Sequence, residues 1–432
     1  MKNIFSKYAC TLSTAVIILL LSAATGCAFT DAFTDRDKSS STKNSSGSLA
    51  LTLRTNPVPF DTHEQFLSFN ADGKWVLSTS DEWLLLENLG ETVLEEDEDA
   101  SDEEASTDPV SITGKGSQPI ILLSLANTSE EERSGKITLK SGGKTAVLQV
   151  NQRAFSAPTP EDEGKATITA GWLELPETFA DDGLDAYTVR FTDEGRSYTF
   201  YWDYDTFVSN WVAYPLNQGL IGAHIKRTDA WGLCPLLHAS RQSNVSTAYH
   251  DANDVYAGYD RGHQLPSADR LGTYARNAQT FYGVNMTPQN SNLNKNIWAS
   301  LEGQVRTWAQ KTYTDTLYVV TGCVTKGATE VVYDAVGHPV TVPTAYFKAL
   351  LLREKTGSSV YSSTGGYAST AFWFDHVEYS QSGKYNASLN KSLSISVAEL
   401  EEKLGYSLFV NLGSLVGDEM ATTIKAANNI QW

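Results

Sequence analysis

The stretch GYDRGHQLPSADR, residues 258–270, places His263 directly after Asp260, Arg261 and Gly262. Turn formers lie on both sides, and Pro266 with Ser267 stops any helix. A neutral imidazole in such a loop can take a proton from water near neutral pH, because its ordinary pKa is about 6.5. Asp260 and Arg261 can fix the loop or pair with each other. A second stretch, NMTPQNSNLNKNIWASLEGQVR at 285–306, passes from loop to helix. Leu293, Ile297, Leu301, Val305 and Trp308 recur at helical spacing as an apolar stripe. Asn294, Trp298, Glu302 and Arg306 form a second row beside it, one turn apart. Asn294 offers a neutral carbonyl oxygen and Glu302 a carboxylate. Both suit a hard divalent ion such as Mg²⁺, which keeps several waters and takes few protein ligands. There is no cysteine or histidine cluster with zinc spacing.

The chain that positions these residues has 432 residues, 41% hydrophobic and 19% charged, enough to bury a sizeable core. Twenty Tyr, ten Trp and 31 Gly suit a β-rich extracytoplasmic protein. A formal charge of −18 argues against a polycation that coats DNA by bulk charge. The balance reverses locally: residues 219–311 hold nine Lys and Arg against six Asp and Glu.

Residues 1–27 read as an export signal, with Lys2 and Lys7 ahead of an apolar run that is too short to span a bilayer. The run ends in ATGC and resembles a bacterial lipoprotein signal, with Ala24 where Leu is commonest. That resemblance implies acylation of Cys27, a membrane partner through the lipid, and residence as an outer-membrane lipoprotein facing the periplasm or the cell surface. Residues 28–48 are polar and Ser-rich and read as a flexible tether. Residues 49–153 carry short β-like runs separated by Gly, Asn and Asp, the pattern of an all-β sandwich. One insertion, EEDEDASDEEASTD at 95–108, is dominated by mutually repelling acids and reads as a solvated loop. Residues 154–166 form a Pro-containing acidic linker, and 167–432 form the C-terminal domain. Cys234 and Cys323 remain in the exported part, either as a disulfide or as two buried thiols.

The segment 49–153 resembles the BACON domain, an immunoglobulin-like module of Bacteroidota surface proteins, through GKWVLSTSDEWLLLE (73–87) and NTSEEERSGKITLKSGGKTAVLQVNQ (127–152). The resemblance implies either a spacer or a carbohydrate partner, with Trp75 and Trp83 as sugar platforms or as core.

DRGH followed by Asn285, Pro288-Gln289, Asn294, Trp298, Glu302 and Arg306 resembles the DNA/RNA non-specific endonuclease family. The likeness extends to NWVAYPL (210–216), KRTDAW (226–231), YVVTG (318–322), VPTAYFKALL (342–351) and ELEEKLGYSLFVNL (399–412), and so covers about residues 167–413. It implies an α+β ββα-metal nuclease domain behind the all-β immunoglobulin-like sandwich. It also implies site roles. His263 is the general base, and Asn294 is the only direct protein ligand of one Mg²⁺, for which Mn²⁺ can substitute. Glu302 orients water in the ion's shell, and Asn285 positions His263 or that water network. Arg227 and Arg306 stabilise transition-state charge, and Arg261 supports the loop or contacts phosphate. The implied reaction is hydrolysis of DNA and RNA to 5′-phosphate products. Activity is expected to rise through pH of about 6–7.5 as His263 loses its proton. The alternative is a surface glycan-binding lipoprotein with an inactive nuclease-like domain.

Overall fold

The computed structural model describes residues 49–60, 63–71, 73–88, 110–116, 120–127, 129, 131–155, 171–179, 183–191, 195–379 and 388–432. The export signal and lipid site at 1–27, the tether at 28–48, the acidic insertion and residues 156–166 of the linker lie outside this set.

The N-terminal part is built from eight strands: β1 (Leu51–Leu53), β2 (His63–Phe69), β3 (Lys74–Thr79), β4 (Leu84–Asn88), β5 (Val110–Lys115), β6 (Ile120–Ser124), β7 (Arg133–Ser141) and β8 (Lys144–Gln152). They form two four-stranded antiparallel sheets, in the orders β1-β2-β6-β4 and β5-β3-β7-β8. Alternation decides which face turns inward. In β3, Trp75 and Leu77 are buried while Lys74 and Val76 are exposed. Residues from both sheets, including Leu67, Leu84, Ile120, Leu122, Ile137 and Leu139, fill one shared core. The strands expected around 66–69, 75–78, 83–86, 120–125, 136–140 and 145–150 all form; β1 and β5 were not foreseen. Trp75 is 2% exposed, and its Nε1 donates to Gly116 O at 2.7 Å, so its ring belongs to the core. Trp83 is half-buried beneath the Arg133 guanidinium. Neither offers the open ring that a sugar platform needs.

The C-terminal part centres on a seven-stranded antiparallel sheet. Its strands are β9 (Leu184–Arg190), β10 (Arg196–Asp203), β11 (Val208–Leu216), β14 (Thr314–Val324), β17 (Ala345–Glu354), β18 (Tyr367–Asp375) and β19 (Ser394–Ile395), in the order β19-β18-β17-β14-β11-β10-β9. Two hairpins stand apart from it: β12 (Tyr259–His263) with β13 (Met286–Asn290), and β15 (Val331–Tyr333) with β16 (Pro339–Thr341). The central strands are nearly all buried, as in Ala345–Leu352, because both sheet faces are covered. Helices Val397–Leu404 and Asp418–Ala426 pack on one face through Val397, Leu400, Ala421 and Ile424. The β12–β13 hairpin and the helix that follows it pack on the other through Met286, Leu293, Ile297, Leu301, Val305 and Trp308. The expected apolar stripe is thus the buried face of that helix.

Cys234 and Cys323 are free buried thiols. Burial pushes the Cys234 thiol up to about 12 and also raises that of Cys323, so both act as small apolar side chains.

Candidate active site

Strand β12 carries the DRGH sequence, and β13 returns beside it with Gly262 opposite Thr287 and His263 opposite Met286. The hairpin is tight at Gly262. A Cβ there would lie 2.6 Å from Gln289 Cβ, so only glycine admits the buried Gln289 side chain. The chain then enters a helix at once. Asn290 caps it by accepting from the backbone N–H groups of Asn292 and Leu293. Residues Asn294–Trp298 form a π-turn, and Ala299–Ala309 continue as α-helix. Such wide turns are rare and concentrate at functional sites. This one begins at Asn294.

Asp260 locks the strand to the helix. Its carboxylate accepts from Asn294 Nδ2 at 2.9 Å, Ser291 Oγ at 2.7 Å and Lys295 Nζ at 3.1 Å. Burial alone would raise the Asp260 pKa, but these donors outweigh it and leave the group below the ordinary carboxylate range. An ionised carboxylate only accepts hydrogen bonds, so the nitrogen of Asn294 must face it and Oδ1 must point elsewhere. The amide oxygen is therefore presented in one orientation, with no donor to it among the described residues.

His263 lies between two aromatic rings, with Phe281 edge-on at 5.0 Å and Trp231 at 5.8 Å. Its Nε2 is buried and has no hydrogen-bond partner among the described residues. The ring also bonds the backbone of Arg261. With the other ring nitrogen donating there, Nε2 keeps a free lone pair. Burial, then the positive charges of Arg227 and Arg261, lower the imidazole pKa to about 3. Burial and the two arginines thus favour the neutral imidazole, against the rise expected at pH 6–7.5 from this histidine.

The arginines divide by what they touch. Arg227 donates Nε to Asp229 at 2.7 Å and lies 4.7 Å over the Phe281 ring, with 47% of its side chain exposed. Its charge acts on both His263 and Glu302, so it is near both. Arg306 donates to the buried Asp269 at 3.0 Å. Arg261 stacks 3.6 Å over Trp231 and donates to Val245 O at 2.7 Å. Burial raises the Glu302 carboxyl, which the charges of Lys348, Arg306 and Arg227 oppose; burial likewise lowers the Lys348 ammonium, which Glu302 opposes.

Asn285 is fully buried, and both ends of its amide are taken by backbone: Oδ1 accepts from Leu265 N, and Nδ2 donates to Leu265 O and Thr280 O. Through these bonds it pins the chain two residues beyond His263. Trp298 is 1% exposed and faces Lys348 Nζ at 4.9 Å, the same side chain whose charge acts on Glu302 one turn further on. Sequence reasoning also missed two groups. Trp231 lay in the segment already singled out, but its stacking with Arg261 depends on a contact distant in sequence. His376 accepts from Asn290 N at 2.7 Å and contacts Pro343 O at 2.6 Å, bracing the hairpin where the helix begins.

A strand-loop-helix unit that offers a bare imidazole, an oriented amide oxygen and arginines carries the groups that phosphodiester hydrolysis requires. The DNA/RNA non-specific endonuclease family matches residues 177–414, and the BACON putative binding domain matches residues 103–153. The chain belongs to the DNA/RNA non-specific endonuclease family and is a nuclease. It is 30% identical over 208 residues to a nuclease of Nostoc, covering 47% of this chain and 68% of that protein. It is 26% identical over 218 residues to a nuclease of Serratia marcescens, covering 50% and 74%. It is 34% identical over 127 residues to human mitochondrial endonuclease G, covering 27% and 42%.

Proposed function

We propose that the protein is an exported, lipid-anchored endonuclease that hydrolyses DNA and RNA with a divalent cation, Mg²⁺ or Mn²⁺, and leaves 5′-phosphate ends. The observation that carries this reading is the Asp260–Asn294 bond, by which the strand that carries His263 orients a neutral hard oxygen on the following helix. The donor set fits a hydrated hard cation. Among the described residues no group of three or more His, Cys, Asp or Glu could hold a metal. The ion would rest on Asn294 Oδ1, with water completing its shell. When bound, it would supply Lewis acidity that neutralises the non-bridging phosphate oxygens.

The chain's own groups do the rest. His263 Nε2 takes a proton from water, and the water oxygen attacks phosphorus. The bond from phosphorus to the 3′ oxygen breaks, so phosphate stays on the 5′ side and the 3′ oxygen gains a proton. Arg227 and Arg306 stabilise the added negative charge. Glu302 orients water from the helix face one turn before Arg306. Contacts limited to phosphate carry no sequence information, which accounts for broad specificity. Acylation of Cys27 would hold the enzyme on the outer membrane, facing the periplasm or the outside. Residues 49–153 would form an immunoglobulin-like domain, joined through 154–166 to a catalytic domain at 167–432.

The test is cleavage of plasmid, single-stranded DNA and RNA by the purified chain, with Mg²⁺ and with EDTA. The reading predicts that all three are cut with Mg²⁺ and none with EDTA. Metal-independent cutting, or none under either condition, would overturn it.

A further inference from the structure

The outer face of the β5-β3-β7-β8 sheet is rich in lysine although the chain as a whole is acidic. Alternation turns Lys74 and Val76 of β3, Thr113 and Lys115 of β5, and Lys136 and Lys140 of β7 to the exterior. Lys74 is directly opposite Lys115 across the ladder, and Lys140 is opposite Val76 on the other flank of β3. On β8 the residues facing this side are Thr145, Val147 and Gln149. None of these positions holds a carboxylate. None of the four lysines forms an ion pair among the described residues. A cleft of about 560 Å³ opens between Lys74, Lys115, Lys140 and the Gly142–Gly143 turn.

Opposed like charges destabilise a strand pair, typically by a few tenths to about 1 kcal/mol. A face that keeps Lys74 against Lys115 is therefore not arranged for stability. What it gains is concentrated positive charge beside hydroxyls and an amide, in a chain whose formal charge is −18. The complement to that face is a chain of phosphates. The buried Trp75 and covered Trp83 leave a neutral sugar without a stacking platform.

We propose that this face binds the phosphate backbone of a nucleic-acid strand through Lys74, Lys115 and Lys140, and so holds polymeric substrate on the enzyme. The proposal rests on the nuclease reading above and adds a second, non-catalytic contact with the same polymer. Binding is insensitive to sequence, because lysine on phosphate reads no base.

The test uses the full chain with K74Q, K115Q and K140Q combined. Binding to a long single-stranded DNA is measured in EDTA between about 50 and 200 mM salt. Three lost phosphate contacts should flatten the log–log salt slope by about 2, so across this range wild type loses about 16-fold more affinity than the variant. The Lys→Arg triple variant should retain wild-type binding. The glutamine variant should unfold at no lower temperature, since it removes a repulsion. With Mg²⁺, its KM for the long strand should rise while cleavage of a short oligonucleotide is unchanged. Unchanged affinity and slope would overturn the proposal. So would loss of binding to phosphatidylglycerol vesicles while the DNA affinity holds, because the face would then serve a lipid surface. Failure of the nuclease reading would look different: wild type would cut neither substrate.

Discussion

The Asp260 carboxylate holds the Asn294 amide nitrogen at 2.9 Å, which fixes the direction of the amide oxygen. A strand rises about 3.3 Å per residue, so this anchor lies within about 10 Å of His263 along β12. The bond joins the element carrying the proposed base to the element carrying the proposed ion ligand. Asp260→Ala should weaken the Mg²⁺ requirement's half-saturation by about 10–100-fold, the usual effect of losing a group that orients a ligand. Mg²⁺ titration of plasmid cleavage measures this. An unchanged half-saturation would show that Asn294 needs no such support.

The pH profile should be set by Glu302 rather than His263. With a pKa lowered to about 3, His263 is neutral and able to accept a proton at every pH above that, and loses this capacity only as pH falls through about 3. Glu302 is displaced the other way, above the ordinary carboxylate range, by burial that Lys348 partly offsets. The carboxylate form then appears only as pH rises through that elevated value, and the rate should rise with it. The apparent pKa belongs to the Glu302–Lys348 pair. Glu302→Gln should give a slower enzyme whose rate no longer rises there. An NMR titration placing His263 near its ordinary value of about 6.5 would contradict the assignment.

Asn285→Ala should act on stability. It leaves backbone groups of Leu265 and Thr280 without partners in the interior, at about 1–3 kcal/mol for each buried group left unsatisfied. The unfolding temperature should fall while the Mg²⁺ half-saturation stays as it was. A rate loss at unchanged stability would return Asn285 to the water network.

The two outer arginines should separate in the same assay pair. Arg227 is half-exposed and its partner Asp229 is exposed, so Arg227→Ala should cost at most about 1 kcal/mol of stability while lowering the rate. Arg306→Ala removes the ion partner of Asp269, whose side chain is 1% exposed, and should cost about 3–5 kcal/mol as well as rate. Thermal unfolding beside cleavage rates tests both; equal stability losses would contradict the distinction.

Much of this site was legible because its signals are local. The stripe Leu293, Ile297, Leu301, Val305 and Trp308 follows helical spacing and is buried as that spacing requires. DRGH and the Asn, Glu and Arg of the following helix were legible as motifs, and Arg227 falls beside them. What was not legible depends on partners distant in sequence. Asn285 has the residue type of a catalytic amide, and only its contacts with Leu265 and Thr280 show that it is spent on backbone. His376 reaches Asn290 from 86 positions away. The π-turn at Asn294–Trp298 has no composition signal. The lowered pKa of His263 comes from Phe281, Trp231 and two arginines gathered by the fold, and no window of sequence contains that environment.

The central claim is a division of labour between Asn294 and His263. Single-turnover plasmid cleavage, titrated with Mg²⁺, measures it directly in Asn294→Ala and His263→Ala. The account predicts that Asn294→Ala shifts the Mg²⁺ half-saturation upward. It predicts that His263→Ala lowers the rate at saturating Mg²⁺ by about 10²–10⁴-fold and leaves the half-saturation unshifted. Near-normal turnover without His263, or an unshifted Mg²⁺ dependence without Asn294, would contradict it.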